Sequence, residues 1–137
     1  MKVEISNREN IIETAKVPFP PNTALISITA YWYDFADLEN KPDYLLQLKF
    51  NDVNNEVLEE AINDEQAEEI AAFIMTALSK ADILICQCDY GASRSAGIAA
   101  AVWQFLSDDS AKIFTDKRYA PNKLVLRKVL AALEKGK

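Results

Sequence analysis

The chain contains no histidine. That absence excludes a Ser-His-Asp triad, a Cys-His dyad and any metal site built on imidazole. A general acid or base has to come from Asp, Glu, Lys, Tyr or Cys. Cysteine is nearly absent as well: there are two residues, Cys86 and Cys88, with Gln87 between them. Two cysteines cannot make a four-thiolate zinc site. A pair this close is no disulfide framework either, because a bridge across one residue is strained. No apolar run approaches the roughly 20 residues of a membrane span. The start, Met1-Lys2-Val3-Glu4, lacks the basic-then-apolar order of an export signal. The expectation is a cytoplasmic protein that does not act on a membrane.

What is present suits one domain over residues 1–137, half of it hydrophobic and 26% charged. The net charge of −6 is unevenly spread. Residues 1–110 hold 7 basic and 19 acidic side chains, whereas residues 111–137 hold 8 and 2. A basic final quarter on an acidic body can steer an anionic substrate. It also suits a solvated helix whose cations complement the dipole at its C-terminus. No stripe of basic and aromatic residues points to nucleic acid.

The patterning predicts strands over residues 2–6, 23–29, 44–50 and 82–87. The first, short and alternating, reads as an edge strand. A helix is expected over 64–81, capped by Asn63 or Asp64, with Ile70, Phe73, Ile74 and Leu78 at helical spacing. Further helices are expected over 95–107 and from Pro121-Asn122 to Lys135, the last ended by Gly136. Residues 31–43, aromatic and acidic, read as a loop with at most one helical turn. Strands alternating with helices predict an α/β fold, a largely parallel central sheet flanked by helices. Sites in such sheets form at the carboxyl ends of strands.

Cys88 stands at one of those ends, and Cys88-Asp89-Tyr90-Gly91-Ala92-Ser93-Arg94-Ser95 runs from an apolar strand into an alanine-rich helix. A tight loop entering a helix turns successive amides toward one point, with the helix dipole behind them. The amides of Asp89, Tyr90, Gly91, Ala92, Ser93 and Arg94 are the expected cradle for a phosphate dianion. Gly91 allows a backbone conformation that a Cβ resists. Arg94 can fork onto two oxygens of the anion. The same positive field favours a thiolate at Cys88, the form that acts as nucleophile. Ser95 can hydrogen-bond that sulfur and help it leave. The plainer reading is a buried strand-end cysteine with an arginine capping something nearby.

The motif resembles the C-x5-R phosphate loop of the protein tyrosine and dual-specificity phosphatases. The likeness extends over about residues 24–133 and takes in Leu25-Ile26-Ser27-Ile28, Leu48-Lys49-Phe50-Asn51-Asp52-Val53 and Ala120-Pro121-Asn122-Lys123-Leu124-Val125. The chain looks like a small bacterial or phage-type member. The resemblance implies a cysteine-dependent phosphatase with no metal or organic cofactor. It also implies a general acid on a loop some thirty-odd residues before the cysteine. Asp52, 36 residues before Cys88, is the best match, with Glu56 next. In that role Asp52 protonates the leaving oxygen and then activates the water that cleaves the cysteinyl phosphate.

One position departs from the family. Where His usually precedes the nucleophile, this chain has Gln87, which can support the loop by hydrogen bonding but brings no charge. The rate of such an enzyme would still be rising toward neutral pH. The departure also keeps open a phosphate-recognition module with little catalysis. A thiol redox or sulfur-transfer role would need Cys86, which sits where a strand wants a small hydrophobe. Tyr31-Trp32-Tyr33-Asp34-Phe35 either walls the pocket, stacking on an aryl ring, or covers the sheet edge. Asp89, negative beside an anion site, is expected to disfavour multiply charged substrates. The expected partner is a phosphorylated protein, phosphotyrosine-like, or a small aryl phosphate.

Overall fold

A computed structural model of the chain describes residues 1–106 and 111–136. Four strands, β1 (Lys2–Asn7), β2 (Thr23–Thr29), β3 (Tyr44–Lys49) and β4 (Ile83–Cys88), form one sheet in the order β1-β4-β2-β3. Every neighbouring pair is parallel. Five helices are described: α1 (Arg8–Thr14), α2 (Asp64–Lys80), α3 (Arg94–Phe105), α4 (Ala111–Thr115) and α5 (Lys123–Lys135). The single-domain α/β fold with a parallel sheet is the one the patterning predicts. The expected end of the third of these helices at Ser107 lies outside the described residues.

Burial follows the two-residue strand period. In β4, Leu84, Cys86 and Cys88 face a core shared with α2, α3 and α5. Ile85 faces a smaller core with Ile11 and Ala15, covered further by Ala36 and Leu38 from the β2–β3 loop. β2 is buried along its whole length, as a central strand of a parallel sheet must be. Ile70, Ile74, Ile98 and Leu133 are fully buried in the larger core. Each such side chain contributes about 1.5–3 kcal/mol by leaving water.

Helix ends are set by side chains. Asn63, not Asp64, caps α2: it accepts from the Gln66 amide at 2.8 Å, while Gln66 Oε1 accepts from the Asn63 amide at 3.1 Å. Asn122 caps α5 by accepting from the Val125 amide at 3.0 Å. α1 is not among the expected elements. It is seven residues long and buries Ile11 and little else, so it offers no periodic stripe to read. What starts it is Asn7, whose Oδ1 accepts from the Asn10 amide at 2.7 Å. α4 is also unexpected, at five residues. No helix forms over residues 31–43. No described helix is long and apolar enough to cross a membrane.

Small residues let α3 lie between the sheet and α5. Ala99, Ala100 and Ala101 are fully buried. A Cβ on Gly97 would stand 2.7 Å from the carbonyl oxygen of Asn122. Backbone therefore meets backbone where α5 begins, and this contact sets how closely Asn122 approaches the end of β4. Gly97→Ala is expected to lower stability by about 1–3 kcal/mol through overpacking, measured by urea unfolding. An unchanged midpoint would show that α5 can shift freely.

Candidate active site

Cys88 ends β4, and α3 begins six residues later at Arg94. The intervening loop is held from outside by its carbonyls. Asp89 O accepts from the Arg8 amide at 3.2 Å, Ala92 O from Ala120 at 2.8 Å, and Ser93 O from Asn122 at 3.0 Å. The N–H of a trans peptide points opposite to its C=O. The amides of Tyr90, Ser93 and Arg94 are thereby turned away from those outer partners and toward the inside of the loop. Gly91 adopts φ +69°, and a Cβ there would lie 2.8 Å from Ser6 O and 2.9 Å from Asn7 Cβ. Conformation and space both require glycine at this turn. The Gly91 amide donates to Cys88 Sγ at 3.3 Å, and Ser95 Oγ lies 3.1 Å from the same sulfur.

Arg94 is buried in the loop rather than extended into solvent. Its Nη1 donates to Phe50 O at 3.0 Å and its Nη2 to Asp89 Oδ2 at 3.1 Å. Nε is buried and has no acceptor among the described residues. Asp89 Oδ2 also accepts the Ala30 amide at 3.1 Å. Its Oδ1 stands 3.5 Å from Arg8 Nη1, and neither of these two buried atoms makes a hydrogen bond. The charges of Arg8, Asp89 and Arg94 together sum to one positive charge at the loop. The Asp89 carboxylate is met by two guanidiniums, one of them contributed by α1, so it offsets part of a larger positive charge rather than standing alone beside the loop.

Asp52 lies across from the loop, on the segment that follows β3. Its Oδ1 accepts from Ser93 Oγ at 2.7 Å and from Asn122 Nδ2 at 2.8 Å. Asn122 Nδ2 also donates to Val53 O at 3.1 Å. Asn122 therefore caps α5 with its oxygen and ties down the Asp52 segment with its nitrogen. Both donors use Oδ1. Glu56 instead faces Arg127 at 3.4 Å and Lys128 at 3.5 Å.

Gln87 is fully buried beneath Cys88. Its Oε1 accepts from Ser27 Oγ, its cross-strand neighbour in register, and its Nε2 donates to Cys88 O at 3.0 Å. Burial, with Cys88 nearby, pushes the Cys86 thiol up to about 12. At neutral pH Cys86 is a protonated core residue, inert toward disulfide exchange. Among the described residues no three metal-ligating side chains converge.

A cavity of about 290 Å³ opens over the loop, with Arg94, Asp89, Asp52, Trp32, Tyr33 and Tyr90 in its walls. Of the aromatic run, Trp32 and Tyr33 line it and pack edge to face, their centroids 6.3 Å apart. Phe35 lies instead under Lys49 Nζ, 5.0 Å from its ring centre. Tyr90 is 80% exposed at the mouth. The residues absent from the sequence reading of the site are Arg8, Asn51, Ser27 and the Phe50 carbonyl, together with the second use of Asn122. Asn51 Oδ1 accepts the Tyr31 amide at 3.0 Å and so fixes the start of the aromatic loop.

No family model matches the sequence, and no curated protein does. Among solved structures, the crystal structure of Tk-PTP in the active form is similar to this chain, with a TM-score of 0.57 at 18% sequence identity. The match covers 98% of this chain and 92% of that one. The fold is therefore like that of a protein tyrosine phosphatase.

Removing the Asp89 carboxylate leaves Arg8 and Arg94 facing each other in a buried site. Asp89→Ala is expected to destabilise the protein by about 3 kcal/mol. Asp89→Asn, which can still accept the Ala30 amide, should recover part of that. Chemical denaturation of the two variants checks this; equal stability of all three proteins would show that the arginines find water instead.

Proposed function

We propose that the protein is a cysteine-dependent phosphatase that hydrolyses phosphate monoesters, phosphotyrosine-like or small aryl phosphates, through a cysteinyl-phosphate intermediate. One observation carries the reading. Cys88 Sγ sits at the base of a loop whose amides turn inward, with Arg94 at the loop's end and Asp52 fixed across its mouth. The similarity in fold to Tk-PTP supports it, as does the buried Arg94 Nε, a donor in want of an acceptor.

In the first step the phosphoryl oxygens lie against the loop amides and Arg94, where charge builds in the transition state. Cys88 Sγ attacks phosphorus as the bond to the leaving oxygen breaks. Asp52 Oδ2 gives that oxygen its proton, so a neutral alcohol or phenol departs. In the second step Asp52, now ionised, takes a proton from water as the water oxygen attacks phosphorus. The S–P bond breaks, inorganic phosphate forms, and Ser95 Oγ donates to the departing sulfur. Gln87 holds the Cys88 carbonyl and keeps the strand end in place. Trp32, Tyr33 and Tyr90 offer ring faces beside the phosphoryl position, which favours aryl esters.

A second reading is a phosphate-recognition module. It draws on Gln87, which is neutral where the family has His, and on Arg94, two of whose donors are already engaged.

Turnover of p-nitrophenyl phosphate in EDTA over about pH 5 to 8 separates the two. The enzyme reading expects Cys88→Ser to abolish turnover and Asp52→Asn to cut kcat at least about tenfold, more for phenyl phosphate, whose leaving group needs the proton more. Folded parent protein that binds vanadate yet turns over nothing would leave the recognition module.

A further inference from the structure

A second cavity, of about 600 Å³, opens on the other side of Asp52, lined by Asn54, Ser93, Pro121, Asn122, Lys123 and Arg127. The two cavities share a wall. Ser93 lines this one and hydrogen-bonds Asp52, which lines the other. Asn122 completes the ridge through its own bond to Asp52. Lys123 follows Asn122 directly, and Arg127 is one turn further along α5, so both cations lie on one face of the helix.

Their present partners are few. Arg127, 61% exposed, meets the exposed Glu56 at 3.4 Å, a pair of little strength. Lys123 makes no ion pair among the described residues. Lys128, by contrast, is largely covered and engaged by Asp64 at 2.6 Å. The cavity over the loop presents a different character: Trp32, Tyr33 and Tyr90 beside Asp52, Glu60 and the Asp89–Arg94 pair. The loop is thus flanked by an aromatic side and a basic side.

The geometry points to the cavity at Lys123 and Arg127 as a second anion subsite, one that takes an acidic residue flanking the phosphotyrosine of a peptide substrate. The inference rests on the phosphate-loop reading above and adds the substrate class. Aryl phosphate alone occupies the aromatic cavity. A peptide chain can cross the Ser93–Asp52–Asn122 ridge and place a carboxylate between the two cations. The volume beyond the ridge exceeds that over the loop, which suits an extended chain better than a small ester. Local positive charge here also gives the basic last quarter of the sequence a use at the site.

The test uses the full chain carrying Cys88→Ser, so that bound peptides are not consumed. Fluorescence anisotropy compares a phosphotyrosine peptide with glutamates beside the phosphotyrosine against the same peptide with alanines there. The acidic peptide is expected to bind about five- to tenfold tighter, with the difference shrinking as ionic strength rises to about 0.5 M. Adding Lys123→Ala with Arg127→Ala should abolish the preference, and Arg127→Glu should invert it. In the parent chain, the same alanine pair should leave p-nitrophenyl phosphate kinetics within about twofold. Equal binding of the two peptides overturns the inference. So does a preference that survives the double substitution, or equal binding of the unphosphorylated acidic peptide. Absence of turnover by the parent would count against the catalytic reading alone, because the binding comparison does not need catalysis.

Discussion

The site depends on three hydrogen bonds that pull loop carbonyls outward. Arg8, Ala120 and Asn122 each donate a backbone amide to the loop, from α1, from the segment before α5 and from the cap of α5. Without them the peptide planes between Cys88 and Arg94 could turn either way, and a nest needs them all turned the same way. The rest of the arrangement follows. Gly91 can sit against β1 only with φ positive and no Cβ. Arg94 is left to fold back into the loop, where Phe50 and Asp89 orient it. Two separate parts of the chain, α1 and the segment that runs into α5, hold a loop of five residues, the first anchored in the core through Ile11 and the second through Leu124 and Val125.

A net positive charge at this loop, on a chain of net charge −6, requires local control of charge. The described structure achieves this by burying one carboxylate. Asp89 lies between Arg8 and Arg94, with side chains that are 29% exposed for Arg8 and 4% for Arg94. Two guanidiniums alone would repel each other; with Asp89 they are held 3.5 and 3.1 Å from a common partner. The surplus is a single positive charge. Asp52 stays outside this group and is instead held by neutral donors, Ser93 and Asn122.

Much of the fold was legible because β2 and β4 are apolar runs and α2 and α5 carry clear stripes and caps. The order Cys88 to Ser95 placed the loop at a strand end because only a strand-to-helix turn accommodates that pattern. What the sequence hid were contacts between distant residues. Arg8 is 81 positions from Asp89, and nothing local marks it as a partner. Asn51 and Phe50 serve through single atoms, an amide oxygen and a carbonyl, that leave no compositional trace. Asn122 was readable as a helix cap, yet its amide nitrogen was free to be used, and its bonds to Asp52 and Val53 span about 70 residues. α1 was missed for a physical reason: a seven-residue helix is stabilised by its Asn7 cap and by docking Ile11, and neither makes a periodic signal.

The lack of histidine has a structural counterpart beneath Cys88. Gln87 fills a sealed position between β2 and β4 and satisfies both its ends, Oε1 by Ser27 and Nε2 by the Cys88 carbonyl. A charged ring there would lie in a core with no counter-ion, since Ser27 and Thr29, the neighbouring buried polar residues of β2, are neutral. Support for the strand end is thus supplied by a neutral pair, and any negative charge on the sulfur is left to Gly91, Ser95 and the first turn of α3. Ser27 and Gln87 then form one unit. A histidine at position 87 would meet the same two groups, a hydroxyl that can donate or accept and the Cys88 carbonyl, so it is the sealed, uncharged surroundings that favour its neutral form.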